Sequence, residues 1–212
     1  MPDTSATGLL GRPLSEVLAA LASQHELADG GGPAAALTAA AAAALTAKVA
    51  RGSRPTWIEA GGAVAHAESL RMQAQALIER DEQAYRKASS VLLHDERSAR
   101  RGVAAPALAT PAGPADRERI VGEASIRAAD LSLAIADAGC QIAGLAGEVA
   151  RRCPSSLRPD ALTAVALAEA AACAAARLVE VDRHLPADDP RRAASSNAAH
   201  KARQARERAL AR

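Results

Sequence analysis

Residues 33–50 read PAAALTAAAAAALTAKVA, an alanine run relieved mainly by Leu37, Thr38, Leu45, Thr46 and one charge, Lys48. Alanine is the strongest helix former and loses no side-chain entropy on ordering, so the run predicts a helix. The same bias holds along the whole chain. There is no Phe, one Trp (Trp57) and one Tyr (Tyr85), yet 49% of the residues are hydrophobic. The apolar surface must therefore come from Ala, Leu, Val and Ile, and a core with so few large side chains requires helices that approach closely. At 212 residues the chain suits one domain with a sizeable core. The expected fold is all-α.

Helix punctuation divides the chain into about five to six helices. A first helix starts near Ser15 and ends before Asp29 and three glycines, Gly30 to Gly32; a second runs from Pro33 to about Arg51. Gly52 and Pro55 stop the pattern. A long third helix follows and carries RDEQAYRKA, with a break expected near Gly61 and Gly62. The stretch from Arg101 to Ala115, with Pro106, Pro111 and Pro114, reads as a long connector. In the fourth helix, about Asp116 to Arg152, Ile135, Ala138, Ile142, Leu145 and Val149 recur at spacings of three and four and mark one buried face. The fifth, about Pro159 to His184, is apolar on more than one face, which predicts a central or interface helix. Short connections favour an antiparallel up-and-down bundle. The division expected is a helical domain over residues 1–185 and a basic C-terminal helix or tail over 186–212.

Charge and special residues exclude several classes. Residues 191–212 hold seven Lys or Arg against one acid, Glu207. They carry no aromatic residue for base stacking and no nucleic-acid-binding motif, so a solvated helical tail is expected rather than a nucleic-acid partner. Cys140, Cys153 and Cys173 show no close pairing and read as reduced thiols in a cytoplasmic protein. The five histidines show no HxxxH or HExxH spacing, so no metal site is predicted. The run from Pro33 to Ala47 falls short of the ~20 apolar residues of a membrane span, and no membrane partner is expected.

Three places can carry chemistry. Gly30, Gly31 and Gly32 precede a helix whose free N–H groups attract anions, although glycines before a helix more often only turn the chain. Asp81 and Tyr85 share a helix face, with Glu82 one position round; such a cluster suits proton transfer or a polar heterocycle, or equally a solvated charged turn. Asp160 stands at the start of the fifth helix, where it complements the helix dipole. Glu169 falls on the stripe of Leu162, Val165, Ala172 and Ala176, where an acid is costly unless it is paired or functional.

Taken in order, these segments resemble the formiminotransferase-cyclodeaminase C-terminal family. DGGGPAAALTAAAAAALTAKVA is similar to its Pro-Gly-Gly-Gly-Ser turn and alanine-rich helix. DEQAY, Asp81 to Tyr85, is similar to its Asp-Ala-Glu-Ala-Phe segment, and Pro159-Asp160 with ALTAVALAEAA to its Ser-Asp and small-residue helix. The resemblance spans about residues 10–185. It implies a homodimeric helical fold and a one-carbon-substituted tetrahydrofolate, N5-formimidoyl or 5,10-methenyl, as the small-molecule substrate. It implies metal-free cyclodeaminase or cyclohydrolase chemistry with no tightly bound cofactor. Asp160 and Asp81 would be catalytic, and Gly30, Gly31, Gly32, Glu82, Tyr85 and Glu169 would bind substrate. Some family residues are replaced: the serine after the glycines is Pro33, and Asn-Val-Arg-Ile-Asn aligns with Leu178 to Asp182, LVEVD. The alternatives are the same groove used on another small molecule, and a non-catalytic helical dimer.

Overall fold

The computed structural model describes residues 9–23, 30–101 and 114–211. Among them a 3-10 turn (Leu9–Gly11) precedes α1 (Leu14–Ala22), α2 (Gly31–Gly52), α3 (Ala60–Arg101) and α4 (Pro114–Arg152). A second 3-10 turn (Ser155–Leu157) leads into α5 (Arg158–Val181), and α6 (Pro190–Leu210) closes the chain. No strand occurs among the described residues, and the fold is the expected all-α bundle. Residues 102–113, most of the expected connector, lie outside the described residues.

Cross-helix contacts set the directions. Lys48, near the end of α2, bonds Asp160 at the start of α5, while Gly31 at the start of α2 faces Leu178 near the end of α5. The two helices are therefore antiparallel. Arg51 of α2 meets Glu68 of α3, and Arg152 at the end of α4 meets Glu59 just before α3. Thus α2, α4 and α6 run one way, and α3 and α5 the other. α5 packs against α2, α4 and α6, and α4 against α2, α3, α5 and α6. The bundle has two ends, called here the glycine end, at Gly30, and the tryptophan end, at Trp57.

The core is built as the composition requires. Ala39, Ala42, Ala43, Ala74, Ala143, Ala168, Ala171 and Ala202 are buried around Leu70 and Ile142. Small side chains let backbones come close. At Gly139 of α4 a Cβ would stand 2.8 Å from the Ala172 amide nitrogen and 2.9 Å from the Ala168 carbonyl oxygen of α5. Only glycine fits there.

Arginines tie down the helix C-termini, whose last carbonyls lack intrahelical donors. Arg158 donates to the Ala150 carbonyl of α4 at 2.9 Å and to the Ala209 carbonyl of α6 at 3.1 Å. Arg192 donates to Val179, Glu180, Asp182, Leu185 and Pro186 carbonyls, sealing the end of α5 and the turn after it. At the tryptophan end, Trp57 is nearly buried, its indole N–H donates to Glu59 at 2.7 Å, and the Arg152 guanidinium lies 5.2 Å from its ring centre.

Four expectations change. The second helix begins at Gly31, not Pro33, because Gly30 already has helical angles (φ −63°, ψ −10°) and its carbonyl accepts from the Ala34 amide. The glycines form the first turn of α2 rather than a loop before it. Gly61 and Gly62 do not break α3; they lie in its first turn, where the Gly62 amide donates to the Glu59 carbonyl at 3.0 Å. The basic residues after Arg191 are on a docked helix, since Ser195, Ala198, Ala199, Ala202, Ala205 and Ala209 of α6 are buried. Finally, Gly31–Gly52, Val121–Arg152 and Ser155–Val181 are each long and apolar enough to cross a membrane. The 15 residues judged from sequence were only part of the first of these.

Candidate functional site

At the glycine end the start of α2 meets the end of α5. A Cβ on Gly31 would lie 3.0 Å from a Leu178 methyl, so a side chain there would crowd α5. Among the described residues no side chain caps α2, whose first-turn N–H groups have no intrahelical partner. Leu77 and Ile78 of α3 share a core cluster with Leu9, Ala20, Ala35 and Ala36. The α3 turn carrying Asp81, Glu82 and Tyr85 therefore follows at this same end; their side chains lie outside the described residues. Asp182 ends α5 here. Its carboxylate accepts from the Ser125 hydroxyl of α4 at 2.5 Å and from the His184 backbone amide at 2.9 Å. Pro33 lines a small apolar cleft between α1, α2 and α3, with Arg12 at its edge.

Asp160 is elsewhere. It lies in the first turn of α5 at the tryptophan end, 41% exposed, with the Lys48 ammonium 2.8 Å away. Seventeen residues of α2 separate Gly31 from Lys48, about 25 Å of helix. One chain therefore does not bring Asp160 to the glycines or to the Asp81 turn. Beside the Lys48–Asp160 pair, Glu68 accepts from Arg71 at 2.7 Å and Arg51 at 3.0 Å. Hydrogen bonds from Arg71 and Arg51 hold the Glu68 carboxyl below the ordinary carboxylate range.

Glu169 lies midway along α5 and belongs to neither end. Its carboxylate is 17% exposed and pairs with Arg206 of α6 at 3.1 Å. The acid on an apolar stripe is thus a paired one, and the pair fastens α6 to α5.

Sequence reasoning missed Lys48, Asp182 with Ser125, and Arg12. Lys48 had a visible signal, as the one charge in residues 33–50, but nothing local shows that it meets Asp160 across 112 positions. Burial pushes the thiols of Cys140 and Cys153 up, against the lowering charges of Lys201 and Arg158 respectively. All three cysteines are free thiols. Among the described residues no three His, Cys, Asp or Glu side chains gather where a metal ion could be held.

Such a chain is an alanine-packed, antiparallel helical bundle with polar clusters at both of its ends. Compared with known proteins, residues 13–201 match the family described as Formiminotransferase-cyclodeaminase, and the chain belongs to that family. It is similar in fold to the crystal structure of formiminotetrahydrofolate cyclodeaminase from Thermotoga maritima. The TM-score is 0.69 at 18% identity, covering 93% of each chain. No match was found among curated protein sequences.

Proposed function

We propose that this chain acts on a one-carbon-substituted tetrahydrofolate, as a cyclodeaminase or a methenyltetrahydrofolate cyclohydrolase. The observation that carries the reading is the family match, which runs unbroken through Gly30–Gly32, Asp81–Tyr85 and Asp160. In cyclodeamination the folate N10 attacks the formimidoyl carbon and ammonia leaves. In cyclohydrolysis water adds to the methenyl carbon, and one carbon–nitrogen bond then breaks. Both routes pass a cationic amidinium carbon and move protons between nitrogen and oxygen, work suited to carboxylates held close by. Asp81, whose α3 turn lies at the glycine end, is proposed as an acid of the site, with Asp182 a further carboxylate at that end.

Asp160 joins the same substrate only if a second copy supplies it. We place that copy antiparallel across the outer seam of α2 and α5, as a homodimer. The α5 segment has a mean hydropathy of 1.7, yet only 44% of it is buried inside the chain. Ala41 and Ala44 of α2 and Ala170 and Ala174 of α5 are exposed, and Val181 is 59% exposed. By helical register they run along the seam that ends in Gly31 and Leu178 on one side and Lys48 and Asp160 on the other. A two-fold axis across this seam sets each glycine end beside the partner's Asp160 end. The free thiols suit the reducing cytoplasm as the compartment of this reaction.

The test is turnover of 5,10-methenyltetrahydrofolate followed by absorbance, with calorimetric titration of tetrahydrofolate and its N5-formimidoyl form. Binding and turnover are expected. Neither binding nor turnover in folded protein would remove the reading. One observation favours a second reading, the same groove used on another small molecule: the cleft beside Pro33 is lined almost wholly by apolar side chains.

A further inference from the structure

The cleft between the N-terminal 3-10 turn, α1, α2 and α3 has a volume of about 170 Å³. Its walls are Val17, Leu21, Leu37, Ile78 and the ring of Pro33. An apolar cavity of about 150 Å³ is the size that takes a benzene ring. The one charged group on its lining is Arg12. Its Nε is fully buried and has no hydrogen-bond acceptor among the described residues. Arg12 thus brings an N–H donor without an acceptor to the lining of the cleft.

We infer that the cleft binds a carboxylate carried on a small apolar body of about one aromatic ring, with the ring against Pro33 and Ile78 and the carboxylate on the Arg12 guanidinium. Ring and anion are both needed. The ring fills the apolar cleft, and the carboxylate meets the guanidinium on its lining with a charge-assisted hydrogen bond. Two sources carry a ring and a carboxylate: a free aryl carboxylate, and the 4-aminobenzoyl-glutamate arm of a reduced folate, whose carboxylates follow the ring through an amide. The inference stands on the cavity and Arg12 and does not depend on the folate reading.

The experiment is calorimetric titration of the full chain with benzoate, its neutral counterpart benzamide, and 4-aminobenzoyl-glutamate, followed by competition with tetrahydrofolate. Benzoate is expected to saturate one site per chain, and benzamide to bind at least about tenfold more weakly, because the charge-assisted bond is lost. Arg12→Gln should weaken benzoate by a similar factor. Val17→Phe, which fills the cavity without touching the charge, should abolish its binding. Both variants are read only after circular dichroism shows the wild-type helix signal. Displacement of benzoate by tetrahydrofolate assigns the cleft to the folate arm, and saturation without displacement assigns it to a free carboxylate; either supports the site. Failure of both benzoate and 4-aminobenzoyl-glutamate to saturate folded wild-type protein at 10-millimolar order concentrations, where even weak fragments register, overturns it. So does equal binding of benzamide.

Discussion

The Arg192 guanidinium holds five backbone carbonyls around the end of α5. Removing the charged donor takes this partner from all five, although Pro186 keeps the Asp189 amide, so Arg192→Ala is expected to cost about 2–3 kcal/mol in urea unfolding. Arg192→Lys is expected to recover little, since an ammonium cannot reproduce the planar fork. Glu68 behaves in the opposite sense on acidification. Its folded pKa is lowered from 4.5 by Arg71 and Arg51, so its contribution is present above that ordinary value and is lost as pH falls through the folded one. Glu68→Gln should therefore lower the melting temperature at about pH 7, and the difference from wild type should shrink as pH falls below 4.5. Cys140 and Cys153, whose pKa values burial raises above 9.0, should be alkylated by iodoacetamide at neutral pH more slowly than a free thiol.

At the scale of elements, the crossing of α4 and α5 depends on Gly139. Gly139→Ala should destabilise by about 1–3 kcal/mol, because the new methyl meets backbone atoms that cannot move aside. Gly144, on the same helix but with nothing within 4 Å of its Cβ position, gives the control: Gly144→Ala should stabilise by up to about 1 kcal/mol. Thermal or urea unfolding of the two variants reads both signs. The contrast also shows what sequence could and could not reveal. Alanine content and the spacing of Ile135, Ile142 and Val149 made the helices and their buried face readable. Both glycines look alike in sequence, however, because the neighbour that forbids a methyl is 30 residues away in another helix. The start of α2 was misplaced by two residues for a local reason: a helix N-terminus has no intrahelical bond to announce it. Glu169 was read as an acid that must be paired or functional; its pairing with Arg206 could be found only in three dimensions.

For the whole molecule, the antiparallel run of α2 and α5 separates two polar groups that the linear motif order seemed to put together. Gly31 and Asp160 are ends of one seam, not walls of one pocket. Mass measurement in solution is expected to give a dimer; a monomer at working concentration would leave Asp160 outside the site. The most direct measurement uses two variants, Gly31→Val and Asp160→Asn, each folded by circular dichroism, assayed for methenyltetrahydrofolate turnover alone and after subunit exchange. The account predicts an active wild type, two silent variants, and a mixture regaining about a quarter of wild-type turnover, since half the dimers then hold one intact composite site. A mixture that stays as silent as its parents, or an Asp160→Asn protein as active as wild type, would contradict it.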